Sequence, residues 1–304
     1  MQYPLPPSAA QGEVPPLYYL HIPKTAGTSL VAFLDAQFSA KDICPAQLLP
    51  ALFALGCARA SRYRLYRGHL WYGLARYVGQ PLRLLTMLRD PLQRTLSWFS
   101  HARRDPNAYR HDRIVEERWS LQDFVTDPQT QWDMVNTQTL FLAADLDYDQ
   151  LALDPVGYGR RTIRALAERR DDRRLLETAK RRLEAMDFGI TERMWESVCL
   201  FSHVFGLDPE VPVERLNVSP HRATEVTAAE RAAIDEITPL DRELYDWACD
   251  RFSERFDAIV QELVSAEARR SGTTGRAWRT PLLADSRQWL AIESVRCART
   301  FACG

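Results

Sequence analysis

The segment that most restricts the fold runs from Leu17 to Ser29. A short apolar stretch is followed there by Lys24, Gly27 and three hydroxyl-bearing residues, which are Thr25, Thr28 and Ser29. This order predicts a buried strand, a tight turn and a helix. The first N–H groups of a helix have no partner within the helix and lie at the positive end of its dipole, so they bind anions. The segment therefore predicts an anion-binding turn, to which Lys24 adds a charge and Gly27 a close backbone approach.

The segment differs from a Walker A loop, in which the lysine follows the second glycine. Here Lys24 precedes Gly27. An ordinary strand-to-helix connection capped by Thr25 is the alternative interpretation, because threonine is a favourable N-cap residue. The segment alone leaves both interpretations open.

A second strand-to-helix turn follows downstream, between Arg83 and Phe99. The apolar run 84–88 predicts a buried strand, and Asp90 followed by Pro91 is typical of a helix start. Arg89 is then placed at the carboxyl end of the strand. Two such turns predict two anion-binding sites.

Arg94 and Ser97 lie three residues apart on the predicted helix, so they share a face and can reach one anion together. Arg94 can instead pair with Asp90, four residues earlier, and serve only the helix. The sequence does not decide between these roles.

The two turns resemble the motifs that bind the 5′-phosphosulfate and the 3′-phosphate in sulfotransferases that use 3′-phosphoadenosine 5′-phosphosulfate (PAPS). Residues 21–29 resemble the first motif and residues 88–99 the second. The similarity is to the heparan sulfate 2-O-sulfotransferase-like branch and its bacterial relatives. Residues 136–142 and 186–193 also resemble segments of this group, so the similarity covers about residues 17 to 220.

The resemblance implies an α/β fold, a P-loop-like three-layer sandwich with a central parallel sheet flanked by helices and a helical C-terminal extension. It implies a sulfotransferase that moves the sulfuryl group of PAPS in line onto an acceptor hydroxyl, leaving PAP and a sulfate ester without a metal. A carbohydrate is the acceptor expected first, and a lipid or a small metabolite remains open. Two alternatives stay open as well, a P-loop-type kinase that uses ATP and a nucleotide-binding protein without turnover.

The same resemblance implies the residues that bind the nucleotide. The 5′ end is assigned to the first turn, with the residues Lys24, Thr25, Ala26, Gly27, Thr28 and Ser29. Arg89 and Ser97 are assigned to the 3′-phosphate. Ser219 and Arg222 belong to a segment that resembles a loop closing over the nucleotide, although a solvated loop is an equal alternative.

Three residues are candidates for catalysis. Lys24 is expected to stabilise charge on the leaving phosphate oxygen. His69 is the expected base, because it follows a predicted strand and its Gly-His pair resembles the segment with the catalytic histidine in the 2-O-sulfotransferase relatives. A structural hydrogen-bonding role is the alternative for His69. Glu192 is the second candidate for the base, or else an ion-pair partner that orders the following helix.

Composition bounds the remaining possibilities. The 304 residues are 46% hydrophobic with a formal net charge of −1, which predicts one large core and no general attraction to nucleic acid or anionic membranes. The six cysteines lack zinc-ligand spacing and are interpreted as reduced thiols. Two arginine groups can bind an anionic acceptor or solubilise the surface; they comprise Arg59, Arg62, Arg64, Arg67 and Arg76, and Arg103, Arg104, Arg110 and Arg113.

We expect a flexible segment at residues 1–16, the sulfotransferase domain at 17–268, and a linker with a C-terminal helix or tail at 269–304. No signal peptide or membrane span is recognised, whereas eukaryotic relatives have an N-terminal anchor, so we expect a cytoplasmic enzyme of bacterial origin. Residues 160–186 predict two helices with a solvated break at 169–173. Thr227 and Glu230 predict a capping box at the start of a further helix.

Overall fold

The fold is built around a parallel β-sheet. In a computed structural model of the chain, the described residues are 14–108, 110–213 and 226–271, with side chains to residue 265. The four strands are β1 (Leu17–Leu20), β2 (Leu65–Gly68), β3 (Arg83–Leu88) and β4 (Asp187–Ile190). They pair in the order β2-β1-β3-β4, and every pairing is parallel. The predicted central parallel sheet is confirmed.

Helices flank this sheet, and the part of the chain that the structure describes also contains three short 3₁₀ turns. The 3₁₀ turns are Ala40–Asp42, Gln131–Asp133 and Thr191–Arg193. The helices among the described residues are α1 (Gly27–Asp35), α2 (Leu49–Leu55), α3 (Cys57–Ala60), α4 (Leu74–Val78), α5 (Pro91–Arg104), α6 (His111–Glu116), α7 (Leu121–Thr126), α8 (Thr137–Ala143), α9 (Tyr148–Leu153), α10 (Gly157–Ala167), α11 (Arg173–Glu184), α12 (Met194–Phe205), α13 (Ala228–Ile237) and α14 (Pro239–Ser271).

The register aligns the carboxyl ends of the strands. Leu20 lies beside both Gly68 and Thr86, and Leu88 lies beside Ile190. Every residue of β1 and β2 is buried, as expected for a parallel sheet covered on both faces. The segments that follow the strands therefore meet at one edge, where open parallel sheets bind their ligands.

Several predicted helix boundaries are confirmed. The Asp90 side chain accepts a hydrogen bond from the Gln93 N–H at 2.9 Å and caps α5, and Pro91 is the first helical residue. Thr227 and Glu230 form the predicted capping box of α13. Helices α10 and α11 are separated between residues 167 and 173, where the solvated break was expected.

The Thr25 cap is wrong, and the domain boundaries stay predictions. Thr25 does not cap α1: the N-cap residue is Ala26, and the Thr25 hydroxyl donates instead to the Ile22 carbonyl at 2.9 Å. Helix α14 continues to Ser271, so the predicted boundary at 268 falls within a helix. The predicted flexible segment up to residue 13 and the tail beyond residue 271 lie outside the described residues.

Candidate active site

The turn after β1 has an unusual backbone. Lys24 and Ala26 have φ angles of 70° and 60°, in the left-handed region that non-glycine residues seldom adopt. Left-handed residues in tight turns form concavities of backbone N–H groups that bind anions, and strain of this kind is typical of ligand sites. The backbone thus matches the anion-binding turn that the sequence predicts.

The hydroxyls of this turn are not equivalent. Thr25 is fully buried and its hydroxyl is bonded to Ile22, so its backbone N–H is the group left for a ligand. Thr28 is exposed and Ser29 is buried, and both belong to the first turn of α1. Helix α1 begins at Gly27, so its positive end lies at the turn.

Positive charge accumulates around Lys24. Burial, together with the nearby charges of Arg104, Arg89 and Arg94, lowers the Lys24 pKa to about 8. Like charges gathered in a partly buried site are unfavourable unless an anion offsets them. The charges of Lys24, Arg89, Arg94 and Arg104 are therefore ones that a bound anion would offset.

Arg89 joins the two turns. Its Nη1 donates to the Lys24 carbonyl at 3.1 Å, and its Nε makes no hydrogen bond although it is buried. Gln138 holds the Arg89 backbone from α8: the Arg89 N–H donates to Oε1 at 2.8 Å, and Nε2 donates to the Arg89 carbonyl at 2.8 Å. The predicted position of Arg89 at the end of β3 is confirmed. The role of Gln138 was not predicted.

Gln138 is itself fixed by a buried carboxylate of α14. Asp241 accepts hydrogen bonds from the Gln138 and Thr139 N–H groups at 3.0 and 2.7 Å and from the Thr139 hydroxyl at 2.8 Å. Asn136, just before α8, accepts from the Leu240 N–H at 2.9 Å. The polar residues within the apolar segment 136–142 were the only sequence signal of this support.

Arg94 is buried with 1% of its surface exposed. Its Nε donates to the Pro23 carbonyl at 3.1 Å, its Nη1 has no hydrogen-bond partner, and burial lowers its pKa to about 10. The alternative pairing with Asp90 is wrong, because Arg242 contacts that carboxylate at 2.8 Å. Ser97, one helical turn further along α5, is also largely buried.

Glu192 lies beside Arg89, in the 3₁₀ turn after β4. Its Oε1 accepts from the Asp90 N–H at 3.3 Å and lies 3.9 Å from the Arg89 Nε, and its Oε2 accepts from the Tyr245 hydroxyl at 2.9 Å. Burial raises the pKa of the carboxyl. Since both oxygens have partners, these contacts favour a role in orienting Arg89.

His69 follows β2 directly, as predicted. The backbone N–H of His69 donates to the Gln47 carbonyl at 2.8 Å, and the ring Nδ1 lies 2.7 Å from the His21 carbonyl oxygen. A carbonyl oxygen only accepts, so Nδ1 is assigned the hydrogen and Nε2 is the basic nitrogen of the neutral ring. Burial, together with the charge of Lys24, holds the His69 pKa below its usual value despite the opposing effect of the His21 carbonyl.

The other histidines have different surroundings. His21 lies just after β1, and its ring centroid is 4.4 Å from that of His69. His101 pairs weakly with Asp105 at 3.8 Å, and His111 Nδ1 lies 2.9 Å from the Ala102 carbonyl. The predicted contacts Ser219 and Arg222 lie outside the described residues.

Gly27 is required by the packing of His21. A Cβ at this position would lie 1.7 Å from the His21 Nε2, so any side chain must displace the ring that contacts His69. We expect Gly27→Ala to lower the free energy of unfolding by about 3 kcal/mol, measured by urea denaturation.

Gly159 provides the matched control for this substitution. It also lies in a helix, α10, but its Cβ would meet Leu151 at an ordinary 3.6 Å. Gly159→Ala should be neutral or stabilise the protein by up to about 1 kcal/mol. Equal effects of the two substitutions would contradict the packing argument.

A cavity of about 370 Å³ opens beside His69. Its walls come from β-strand termini and from helices α2, α5, α8 and α10, and they are mainly aromatic and aliphatic. The aromatic members are Trp71, Trp98, Trp132 and Phe141. Trp71 and Phe141 stack with their ring centroids 3.9 Å apart. The cavity connects the predicted base to the anion-binding turn, because Pro23 and Arg94 also line it.

The chain is similar to several proteins named as heparan-sulfate 6-O-sulfotransferases. Heparan-sulfate 6-O-sulfotransferase 2 of Danio rerio is 30% identical over 228 residues, which cover 68% of this chain and 45% of the relative. Heparan-sulfate 6-O-sulfotransferase 3 of Homo sapiens is 30% identical over 186 residues, which cover 58% of this chain and 39% of the relative. Heparan-sulfate 6-O-sulfotransferase 2 of Gallus gallus is 27% identical over 205 residues, which cover 61% of this chain and 48% of the relative. This chain is a sulfotransferase homologue.

The homologue spans less than half the length of these curated relatives. No protein-family model matches it. The resemblance to sulfotransferases is thus confirmed, whereas the 2-O branch is not, because these relatives are named for 6-O transfer. A bacterial source stays a prediction.

Three further observations concern the described part of the homologue. None of its helices there combines the length and apolarity needed to cross a bilayer. No cluster of three or more potential metal-ligating side chains occurs among the same residues. Cys44, Cys57, Cys199 and Cys249 are free thiols.

Proposed function

We propose that the protein transfers the sulfuryl group of PAPS to an acceptor hydroxyl, most directly that of a carbohydrate. The convergence of Lys24 with Arg89, which follows β3, and with two arginines of α5 is the observation that carries this proposal. The names of the relatives support the reaction and the carbohydrate class. The motif resemblance supports PAPS as the donor.

The residues fit a nucleotide with two separated anionic groups. The Lys24 turn, with the N-terminus of α1, suits the 5′-phosphosulfate, and Arg89 with Ser97 suits the 3′-phosphate. The Nε of Arg89 and the Nη1 of Arg94 are buried donors without hydrogen-bond partners, so both have capacity for ligand oxygens. ATP has no 3′-phosphate and would leave the second site unused.

The reaction requires an in-line acceptor, charge stabilisation at the leaving oxygen and a base. His69 Nε2 takes the proton of the acceptor hydroxyl as its oxygen forms a bond to sulfur. The bond from sulfur to the phosphate oxygen breaks, and its electron pair remains on that oxygen in PAP. The Lys24 ammonium stabilises this growing charge, so its interaction is stronger in the transition state than before it.

Glu192 is proposed as a positioning residue for Arg89. We expect Glu192→Ala to weaken PAP binding about tenfold, because the Arg89 guanidinium loses its carboxylate partner, while kcat at saturating PAPS changes less. Calorimetry and steady-state kinetics provide the two values. Tyr245→Phe, which removes one hydrogen bond to Glu192, should shift binding in the same direction by less.

The alternative role of Glu192 has a different kinetic signature. A general base contributes about 10²- to 10⁴-fold to the rate. If Glu192→Ala lowers kcat to that extent and leaves PAP affinity unchanged, Glu192 and not His69 is the base.

Calorimetric titration of PAP and ATP tests the proposal against its alternatives. The sulfotransferase proposal predicts that PAP binds at least about tenfold more tightly, because only PAP provides a 3′-phosphate for Arg89. Comparable affinities would favour an ATP-dependent kinase. Tight PAP binding without transfer to any acceptor would favour a nucleotide-binding protein without turnover.

A further inference from the structure

Arg94 lies between the anion-binding turn and the cavity beside His69. It is 1% exposed, and it belongs to the cavity lining together with His69 and Pro23. Its Nε donates to the carbonyl of Pro23, the residue before Lys24, at 3.1 Å. This hydrogen bond holds the guanidinium against the turn, while the same residue lines the cavity.

The charge of Arg94 has little direct compensation from the protein. Its Nη1 is buried without a hydrogen-bond partner. Asp241 acts on Arg94 as a charge at a distance, because its carboxylate oxygens are bonded to the start of α8. Arg89 opposes it as a like charge. A buried cation of this kind is unfavourable unless an anion with hydrogen-bonding oxygens reaches it.

Asp133, which also lines the cavity, cannot neutralise this charge. Burial raises the pKa of its carboxyl to about 7, against the charges of Arg160, Arg94 and Arg110. At neutral pH this carboxyl is about half ionised, whereas the three arginines that act on it are positive. Positive charge is therefore in excess around Asp133, and Arg94 is the most deeply buried of the three arginines.

The order of groups in PAPS indicates which anion Arg94 meets. Two of the three anionic groups already have sites: Arg89 with Ser97 suits the 3′-phosphate, and the Lys24 turn suits the 5′-phosphate. In-line transfer places the third, the sulfuryl group, between the leaving oxygen at Lys24 and the acceptor oxygen at His69. Arg94 contacts the turn before Lys24 and shares a cavity with His69, so it is placed beside that group.

We propose that the Arg94 guanidinium binds the sulfuryl group of PAPS by donating hydrogen bonds to its non-bridging oxygens. These bonds persist while the acceptor oxygen bonds to sulfur, the acceptor proton passes to His69 Nε2, and the bond from sulfur to the phosphate oxygen breaks with its electron pair left on PAP. Arg94 stays protonated throughout. A planar guanidinium suits two oxygens at once, and charge-assisted bonds of this kind are strong. This inference rests on the proposed function, because it takes PAPS as the donor.

PAPS and PAP differ only in the sulfuryl group, so their relative affinities isolate the proposed contact. Arg94→Met removes the guanidinium and leaves an unbranched apolar side chain that adapts to the space. We expect it to weaken PAPS binding about tenfold to a hundredfold and PAP binding less than about threefold, because only PAPS loses charge-assisted hydrogen bonds. Calorimetry on the full chain, without an acceptor, measures both dissociation constants.

Two further variants complete the experiment. Arg103→Met is the matched control, because Arg103 is exposed on the same helix over the Phe99 ring and does not belong to the described lining. It should leave the ratio of the two dissociation constants unchanged. Arg94→Lys keeps the charge without the planar fork, so the ratio should change in the same direction as in Arg94→Met, by at least about threefold. It decides the test if urea denaturation shows that Arg94→Met does not fold.

An equal loss of PAPS and PAP affinity would overturn the proposal, because Arg94 would then serve one of the phosphates. Unchanged affinities in both Arg94 variants would overturn it as well, since the bond to Pro23 would then be the role of the side chain. Either result leaves the proposed function standing. Wild-type protein that binds neither PAP nor PAPS would refute the proposed function itself.

Discussion

Lys24→Ala should lower kcat about a hundredfold to a thousandfold, with a much smaller loss of PAP affinity. The ammonium acts on charge that develops on the leaving oxygen, whereas the backbone of the turn and Arg89 continue to bind the nucleotide. Steady-state kinetics with saturating PAPS and calorimetry with PAP measure the two quantities separately.

Lys41→Ala is the matched control, because Lys41 is exposed on the 3₁₀ turn after α1. It should leave both kcat and PAP affinity unchanged. Equal losses of turnover and affinity in Lys24→Ala would show that Lys24 contributes only to binding.

His69→Ala is expected to lower kcat about 10²- to 10⁴-fold without weakening PAP binding, because it removes the base but none of the anion-binding groups. Turnover is measured with saturating PAPS and acceptor. His111→Ala is the control, since its Nδ1 also lies against a main-chain carbonyl while its ring does not line the cavity. A similar loss in both variants would remove His69 from the mechanism.

The pH dependence of kcat/KM provides a second test of the same base. Neutral His69 is the active form and its pKa is lowered by burial, so the acidic limb should have its midpoint below 6.5. Lys24 must be protonated and its pKa is about 8, so the rate should fall as pH rises through that value. The acidic limb should disappear in His69→Ala, and its persistence would assign it to another group.

Local sequence signals located the main parts of this site. The apolar runs before Lys24, His69 and Arg89 predicted strands, and the Asp90-Pro91 pair predicted the start of α5. These signals depend on neighbouring residues, so they can be read without the fold. Because parallel strands end at one edge, they also indicated that the three residues would lie near one another.

Contacts between distant segments could not be predicted in this way. Gln138 and Asp241 are 103 residues apart, and the polar residues of segment 136–142 do not indicate which distant carboxylate they bind. Thr25 fitted an N-cap by residue type, but the left-handed Ala26 takes that position and leaves Thr25 to bond with Ile22. Tertiary context overrides local preference at both places.

The cavity is the part of the site least accessible from sequence. Its walls are assembled from residues between 23 and 163, in segments that have no shared motif. The arginine groups drew attention because charge is easy to recognise in a sequence. The structure instead places beside His69 a cavity whose lining is mainly aromatic and aliphatic.

Transfer of label from PAPS labelled in its sulfuryl group tests the central claim most directly. The enzyme is incubated with labelled PAPS and, in separate reactions, with naphthol, octyl glucoside and desulfated heparan. We expect a labelled sulfate ester formed in equal amount with PAP, and a loss of both products in Lys24→Ala and His69→Ala. Label that stays on PAPS, or appears only as free sulfate with every acceptor, would contradict it.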